Sequence, residues 1–184
     1  MSFYWEEYLQ EVLISETALQ EKVKQLGQQI SEDYKGKDIL LLCILKGGVV
    51  FLTDLMRHLT IPNEIDFLAV SSYGKKARGS TGVVRIVKDL DQPIYGRHVL
   101  IIEDIIDSGH TLNYIVRNLA TRNPASLKIC TLLDKFERRE IDIAVDYTGF
   151  VIPDRFVFGY GLDLDEKFRE LPFIGVVKPG MSFE

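Results

Sequence analysis

The chain has 184 residues, of which 46% are hydrophobic and 27% are charged, and this suits one globular domain large enough to bury a core. Its formal net charge of −5 disfavours a general nucleic-acid binder, which is usually basic. No stretch approaches the roughly 20 apolar residues that a membrane-spanning helix needs, and the N-terminus has early acids and no cleavable apolar segment. We therefore expect a cytoplasmic protein with no membrane partner.

Up to about residue 134 the chain alternates between helical and strand-like patterns. Ser15 is a candidate N-cap, because the apolar residues after it fall at helical spacing. Apolar runs such as ILLLCIL predict strands that are covered on both faces of a sheet. In chain order the predicted elements are a helix over 16–34, a strand over 39–45, a helix to about 59, a strand over 64–72, a strand over VVRIVKD with no clear partner, a strand over 98–104, a helix marked by Leu112, Ile115, Val116 and Leu119, and a strand over 126–134.

Two segments depart from this alternation. Residues 73–82, YGKKARGSTG, are polar, basic and glycine-containing, which predicts a long mobile loop. In the final fifty residues, short aromatic-rich pieces are separated by Pro, Gly and Asp, and these predict loops and short strands. Together the patterns favour an α/β fold in a single domain over residues 1–184, with a largely parallel twisted sheet and flanking helices.

Polar signatures follow three of the predicted strands. LKGG ends the strand over 39–45, EDIIDSGHT ends the strand over 98–104, and LLDKFERR ends the strand over 126–134. In parallel sheets that carry helices on their faces, ligands bind outside the carboxyl ends of the strands. We therefore expect these three segments to converge at one edge of the sheet and to form a binding site there.

The segment DSGHT (107–111) lies between a predicted strand and a predicted helix. Glycine permits a tight turn there, and successive backbone N–H groups together with the hydroxyls suit a phosphate. Glu103 and Asp104, directly before it, are hard oxygen ligands suited to Mg²⁺ or to ribose hydroxyls. Alternatively, Asp107 or Ser108 only caps the helix, with the acids near its dipole. A cap, however, requires neither member of the acidic pair.

VLIIEDIIDSGHT, residues 99–111, resembles the 5-phosphoribosyl-1-pyrophosphate (PRPP) binding motif of the type I phosphoribosyltransferase family. That motif is an apolar run followed by E-D-x-x-D-[ST]-G-x-T, and His110 stands at its variable position. LKGG, SSYG followed by STG, LLDK, and VIPDRFVFGYGLDLDEKFRELPFIGVV resemble successive landmarks of the hypoxanthine-guanine branch, in the expected order. The loop KKARGS lacks the acidic character of some relatives, which affects the expected loop dynamics.

The resemblance implies the type I phosphoribosyltransferase fold, with a core of roughly 36–150 and a small hood from the N-terminal segment and roughly 151–184. It implies a purine salvage enzyme that transfers the 5-phosphoribosyl group from PRPP to N9 of hypoxanthine or guanine, giving IMP or GMP plus pyrophosphate. Mg²⁺ is the implied cofactor, and a homodimer or homotetramer is the implied assembly.

Two alternatives stay open from the sequence. One is a phosphoribosyltransferase that prefers xanthine. The other is a PRPP-binding regulatory protein of the same fold that contacts nucleic acid, and the acidic net charge and the absence of an added DNA-binding segment weigh against it.

The resemblance also implies residue roles. Asp107 would be the general base that takes the proton from purine N7, and Lys135 would donate to purine O6. Without the resemblance, each implied residue has an ordinary explanation as a core side chain, a turn or a surface ion pair. The implied PRPP-binding residues are Lys46, Gly47, Ser72, Tyr73, Glu103, Asp104, Asp107, Ser108, Gly109, His110, Thr111 and Arg169. The resemblance also implies a cis peptide bond between Leu45 and Lys46, at least in the ligand-bound state. The implied purine-binding residues are Lys135, Phe156, Val157, Leu162 and Asp163, and the implied metal ligands are Glu103, Asp104 and Asp163.

Overall fold

The computed structural model describes residues 4–73 and 83–181, without the side chains of Ser72, Tyr73 and Val83. The predicted loop over 73–82 therefore lies, apart from the backbone of its first residue, outside the described residues. The helices are α1 (Glu16–Asp33), α2 (Val49–Met56) and α3 (His110–Ala120). The strands are β1 (Leu9–Ile14), β2 (Ile39–Leu45), β3 (Asn63–Tyr73), β4 (Val83–Lys88), β5 (His98–Ile106), β6 (Ser126–Asp134), β7 (Tyr147–Val151), β8 (Val157–Phe158) and β9 (Ile174–Val177).

The larger sheet has six strands in the order β4-β3-β2-β5-β6-β7. From β3 to β7 every neighbouring pair is parallel, whereas β4 pairs antiparallel with β3 at one edge. The predicted α/β fold with a largely parallel sheet is thus confirmed. The strand predicted over VVRIVKD, whose partner the sequence left open, is this antiparallel edge strand.

Helices cover both faces of the large sheet, and β2 shows why its sequence is apolar throughout. Side chains of Ile39, Leu41 and Cys43 lie in the same buried cluster as the apolar faces of α1 and α2. The alternate residues of β2 lie in a second cluster with the apolar face of α3. Because successive side chains of a strand point to opposite faces, a strand between two helical layers must be apolar at every position.

Helix boundaries agree with the sequence at α1 and depart from it at α2. The Ser15 hydroxyl accepts a hydrogen bond from the Ala18 N–H at 3.3 Å, as an N-cap does. Helix α2 ends at Met56, so the predicted end near 59 is about three residues too late. The N–H groups of the three following residues bond to carbonyls three residues back, and this tighter turn ends the α-helix.

Strand β5 extends two residues beyond the predicted strand over 98–104. The pairing of β5 with β6 continues to Ile106 opposite Asp134. The prediction of a strand ending at 104 is therefore two residues short. As a consequence, Glu103 and Asp104 lie within the strand, where the neighbouring strands fix their backbone.

The smaller sheet has three antiparallel strands in the order β1-β9-β8. Strand β1 was not predicted from the sequence, and it pairs with β9 near the other end of the described chain, with Leu9 opposite Val177. Among the described helices, none combines the length and apolar character needed to cross a bilayer.

Candidate active site

The carboxyl ends of β2, β5 and β6 lie side by side, because β5 pairs with both of its neighbours in parallel. Lys46 follows β2, Asp107 follows β5, and Lys135 follows β6. The Lys135 N–H donates to the carbonyl of Ile106 at 3.0 Å, which fixes this residue beside the end of β5. The predicted convergence of the three polar segments is confirmed.

The segment DSGHT forms the turn between β5 and α3. Gly109 has a φ of 87°, a left-handed conformation that glycine adopts at little cost, and α3 begins at the next residue. Gly109 is the N-cap, and no side chain makes a capping hydrogen bond to the helix. The alternative in which Asp107 or Ser108 serves as the cap therefore finds no support. A cavity of about 170 Å³ is lined by Glu103, Ile105, Ile106, Asp107, Ser108, Gly109, Thr111 and Leu112.

The chain after β6 anchors the outer side of this turn. The N–H groups of Glu140 and Ile141 donate to the Ser108 carbonyl at 3.0 and 3.3 Å. The His110 Nε2 lies 2.7 Å from the Glu140 carboxylate Oε2, and both side chains are more than half exposed. Residues from two strand ends thus hold the turn in place, and the side chain of His110 pairs with Glu140.

The acidic pair on β5 is electrostatically costly. Burial raises the pKa of Glu103 well above its usual range, and the adjacent Asp104 carboxylate adds to the rise. Burial likewise raises the pKa of Asp104 to about 6. The Glu103 Oε2 is buried and accepts no hydrogen bond from any described residue. A bound cation would relieve each of these costs, so the pair suits a metal ion.

Magnesium is usually held by one or two carboxylates together with substrate oxygens and waters, rather than by a cage of protein ligands. Within residues 4–73 and 83–181, no three His, Cys, Asp or Glu side chains form a group that could hold a metal. As two adjacent carboxylates, the acids of β5 match the kind of site in which Mg²⁺ shares its shell with substrate oxygens.

The turn after β2 fits closely against the acidic pair. The peptide bond between Leu45 and Lys46 is cis, as predicted. A Cβ added at Gly47 would overlap the Asp104 carboxylate, so any side chain there would displace that carboxylate. A Cβ added at Gly161, whose φ is +99°, would overlap the Gly47 carbonyl oxygen. Two glycines therefore let the loop after β8, the Lys46-Gly47 turn and the acidic pair approach one another.

An ion cluster connects that turn to the loop between β8 and β9. The Lys46 Nζ lies 2.8 Å from the Glu166 Oε2, and the Arg169 guanidinium lies 3.2 Å from the same oxygen. Arg169 also pairs with the Asp163 Oδ1 at 3.0 Å, and the Glu166 N–H donates to the Asp163 Oδ2 at 2.9 Å. The cluster brings together Lys46, Asp163 and Arg169, all predicted site residues, through Glu166, which was not predicted.

A second ion cluster lies at the ends of β5 and β6. The Lys135 Nζ lies 3.3 Å from Asp154 Oδ1 and 3.9 Å from Asp107 Oδ2. The Arg138 Nε lies 2.5 Å from Asp107 Oδ1, and its NH1 reaches both Asp154 oxygens at 2.9 and 3.2 Å. Lys135 and Asp107 were predicted to act together on the purine, whereas Arg138 and Asp154 were not predicted at all.

The predicted base-contacting residues of the smaller sheet differ in exposure. Phe156, directly before β8, is 66% exposed, which makes its ring available for stacking. Val157 and Leu162 are buried, and the Val157 side chain belongs to the main core. The side chains of Ser72 and Tyr73 lie outside the described residues, and their backbones belong to β3.

Arg138, Asp154 and Glu166 were not predicted. Each contacts a residue that is distant in sequence, so no local pattern identifies it. Arg138 and Asp154 meet through side chains 16 positions apart, and Glu166 meets Lys46 across 120 positions. LLDKFERR marks the end of a strand, but nothing in this run distinguishes Arg138 from the charged residues beside it.

Comparison with known proteins agrees with this geometry. A family model described as "Phosphoribosyl transferase domain" matches residues 13–167. The hypoxanthine-guanine phosphoribosyltransferase of Mycobacterium tuberculosis is 48% identical over 177 residues, which cover 93% of this chain and 87% of that protein. The hypoxanthine phosphoribosyltransferase of Buchnera aphidicola is 51% identical over 168 residues, which cover 90% and 94%.

Solved structures give the same result. A hypoxanthine phosphoribosyltransferase from Staphylococcus aureus superposes with a TM-score of 0.92 at 46% sequence identity, covering 97% of each chain. The match extends over both sheets, so it includes the strand ends and the loop between β8 and β9 as well as the core. The chain therefore belongs to the phosphoribosyl transferase family, in its hypoxanthine-guanine branch.

Proposed function

We propose that this protein transfers the 5-phosphoribosyl group of PRPP to N9 of hypoxanthine or guanine, with release of IMP or GMP and pyrophosphate. The observation that carries the proposal is the separation of 3.9 Å between the Lys135 ammonium and the Asp107 carboxylate at the mouth of the phosphate-binding turn. O6 and N7 are neighbours on one edge of a 6-oxopurine. One donor and one acceptor at this separation match that edge.

In the proposed reaction the bond between C1′ and the pyrophosphate oxygen breaks, and a bond forms between N9 and C1′. Asp107 accepts the proton that leaves N7 as N9 attacks. Lys135 donates to O6, and a 6-amino group offers no carbonyl there, so adenine is a poor substrate. Phe156 stacks on the base, Val157 offers its backbone to the base edge, and Leu162 completes the purine site.

PRPP is held at two places in this proposal. Residues of the DSGHT turn, from Asp107 to Thr111, bind the 5′-phosphate, because the N-terminal turn of a helix presents unpaired N–H groups to an anion. Lys46, Gly47 and Arg169 bind the pyrophosphate, and the planar guanidinium suits paired phosphate oxygens. Ser72 and Tyr73 cover the pyrophosphate from the end of β3. The Glu166 carboxylate pairs with both Lys46 and Arg169, so bound pyrophosphate would take its place beside these two side chains.

The proposed cofactor is Mg²⁺, held by Glu103 and Asp104 together with the ribose hydroxyls and pyrophosphate oxygens. A second ion at Asp163 would share that carboxylate with Arg169. When bound, Mg²⁺ supplies positive charge to the phosphate oxygens of PRPP. The unpartnered Glu103 oxygen supports the first site more strongly than the second.

The remaining features of the proposal follow family membership. We infer one cytoplasmic domain, assembled as a homodimer or homotetramer, with a core of roughly 36–150. The N-terminal segment and roughly 151–184 form a hood over the base. The pairing of β9 with both β1 and β8 supports this division.

The test is to incubate the protein with PRPP, Mg²⁺ and one purine at a time, and to measure pyrophosphate release. Release with hypoxanthine or guanine and little with adenine is the expected result. Faster turnover of xanthine than of both would replace the proposed substrates. PRPP binding without release for any purine would favour a regulatory protein.

A further inference from the structure

Asp154 is placed to hold the purine-reading lysine. It lies in the loop after β7, and the N–H of Ile152 in that loop donates to the Asp134 carbonyl at 2.9 Å. This bond sets the loop against the residue directly before Lys135. Asp154 Oδ1 then accepts a hydrogen bond from the Lys135 Nζ at 3.3 Å.

The Lys135 ammonium needs such a partner because its side chain is only 8% exposed. A buried ammonium without a counter-charge is costly, and a flexible lysine would otherwise turn toward water. Asp107, at 3.9 Å, is too far for a hydrogen bond. Among the described side chains, Asp154 has the carboxylate nearest to the Lys135 ammonium. It is the acceptor that orients this ammonium.

Arg138 in turn fixes Asp154. Its guanidinium donates to both Asp154 oxygens, and hydrogen bonding to Arg138 is the main cause that lowers the Asp154 pKa below its usual range. The carboxylate is therefore ionised and oriented when it meets Lys135. An ammonium carries three hydrogens, so donors remain for a carbonyl oxygen.

We propose that Asp154 is a specificity-determining positioning residue, which acts through Lys135 to present an ammonium to the 6-oxo group of the base. The inference rests on the proposed function. Asp154 itself does not touch the reacting atoms. Its effect should consequently appear in the KM for the base and in base selectivity, and it should vanish when Lys135 is absent.

The experiment measures the KM for hypoxanthine and for PRPP, and the preference for hypoxanthine over adenine, in four proteins. These are the native protein, Asp154→Asn, Lys135→Ala and the double variant. Asp154→Asn should raise the KM for hypoxanthine roughly 10-fold or more and narrow the preference over adenine, while the PRPP KM changes less than about 2-fold. In the Lys135→Ala background, Asp154→Asn should change the hypoxanthine KM less than about 2-fold.

Asp89→Asn is the matched control. Asp89 is 51% exposed against 49% for Asp154, and it also accepts two hydrogen bonds from one arginine, Arg122, at 2.7 and 3.0 Å. It follows β4, away from the ends of β5 and β6. The control separates loss of a surface ion pair, which is typically worth little, from loss of the contact to Lys135.

Asp154→Glu guards against a simple folding defect, because it keeps the charge and should restore part of the lost affinity for hypoxanthine. If the native protein turns over hypoxanthine and Asp154→Asn behaves like Asp89→Asn, the positioning role is overturned and the proposed function stands. An equal effect of Asp154→Asn with and without Lys135 also overturns it. No turnover of either 6-oxopurine by the native protein overturns both.

Discussion

Asp107 lies where β5 ends and the DSGHT turn begins, close to the cationic side chains of Lys135 and Arg138. We expect Asp107→Asn to lower kcat by roughly 10²- to 10⁴-fold, because an amide cannot take the N7 proton. PRPP affinity should change far less, since backbone N–H groups and the hydroxyls of Ser108 and Thr111 bind the phosphate in the proposed function. Steady-state kcat and PRPP dissociation constants measure the two effects.

An asparagine caps a helix as well as an aspartate does, so a capping role for Asp107 forecasts near-native turnover. The structure already assigns the cap to Gly109. Near-native kcat in Asp107→Asn would nevertheless remove the general-base assignment. Normal turnover with much weaker PRPP binding would make Asp107 a binding residue instead.

The acidic pair of β5 gives a prediction about pH and stability. Because the pKa of Asp104 is raised to about 6 in the folded protein, the folded state holds a proton that the unfolded state releases near pH 4. In the protein without Mg²⁺ and PRPP, the contribution of Asp104 to the free energy of unfolding should therefore be greatest below about pH 4. This contribution should fall as the pH rises toward and through 6.

Asp104→Asn should reduce that decline and make the ligand-free protein more stable at pH 8 by about 1–2 kcal/mol, while activity is lost. Urea unfolding at pH 5 and pH 8 measures the change. Because Glu103 is unchanged in this variant, part of the decline of stability with pH will remain. A variant that is less stable than the native protein at pH 8 would show that the carboxylate stabilises the fold.

At the scale of elements, two loops approach through Gly161 and Gly47, and this contact can be tested with a matched glycine. Gly36 also has a positive φ, +76°, but a Cβ there would meet nothing within 4 Å. Both Gly161→Ala and Gly36→Ala should lose about 1–2 kcal/mol for the left-handed backbone. Gly161→Ala should lose about 1–3 kcal/mol more from overlap with the Gly47 carbonyl, and should raise the PRPP KM.

Urea unfolding and PRPP kinetics on the two variants give the comparison. If the variants lose the same stability and both keep a native PRPP KM, the loop after β8 does not set the position of the Lys46-Gly47 turn.

Some elements were predictable because their signals are local. The apolar run of β2 and the N-cap and apolar stripe of α1 each lie within one segment, and their bounds agree with the structure within one residue. Strand β1, LQEVLI, is short, polar at two of its six positions and mostly not buried. It is a strand because of β9, over 160 residues later, and no local pattern contains that partner.

The candidate site divides in the same way. The DSGHT turn and the acidic pair are contiguous, so a motif resemblance locates them. Arg138, Asp154 and Glu166 are ordinary charged residues outside the α-helices and strands, and their partners become evident only when the strand ends are placed side by side. The family resemblance identified Lys46 and Arg169 as site residues, but it did not identify Glu166, whose carboxylate pairs with both.

For the molecule as a whole, ligand binding should appear as thermal stability. PRPP with Mg²⁺ at about 100 times its dissociation constant should add about 2.7 kcal/mol, which raises Tm by roughly 5–10 °C in a chain of this size. Ribose 5-phosphate at the same concentration, which lacks the pyrophosphate, should give a smaller rise. An unchanged Tm with PRPP would contradict the proposed site.

The pairing of β1 with β9 also sets an order of events during synthesis. Strand β1 leaves the ribosome before the other strands of both sheets, and it has no partner in its sheet until β9 emerges. The DSGHT turn emerges about sixty residues before β9, so under the proposed function a growing chain completes its phosphate site before the sheet that covers the base. Released chains that end after β7 should accordingly bind PRPP without transferring its ribose, and under the proposed function the addition of β8 and β9 turns a phosphate binder into an enzyme.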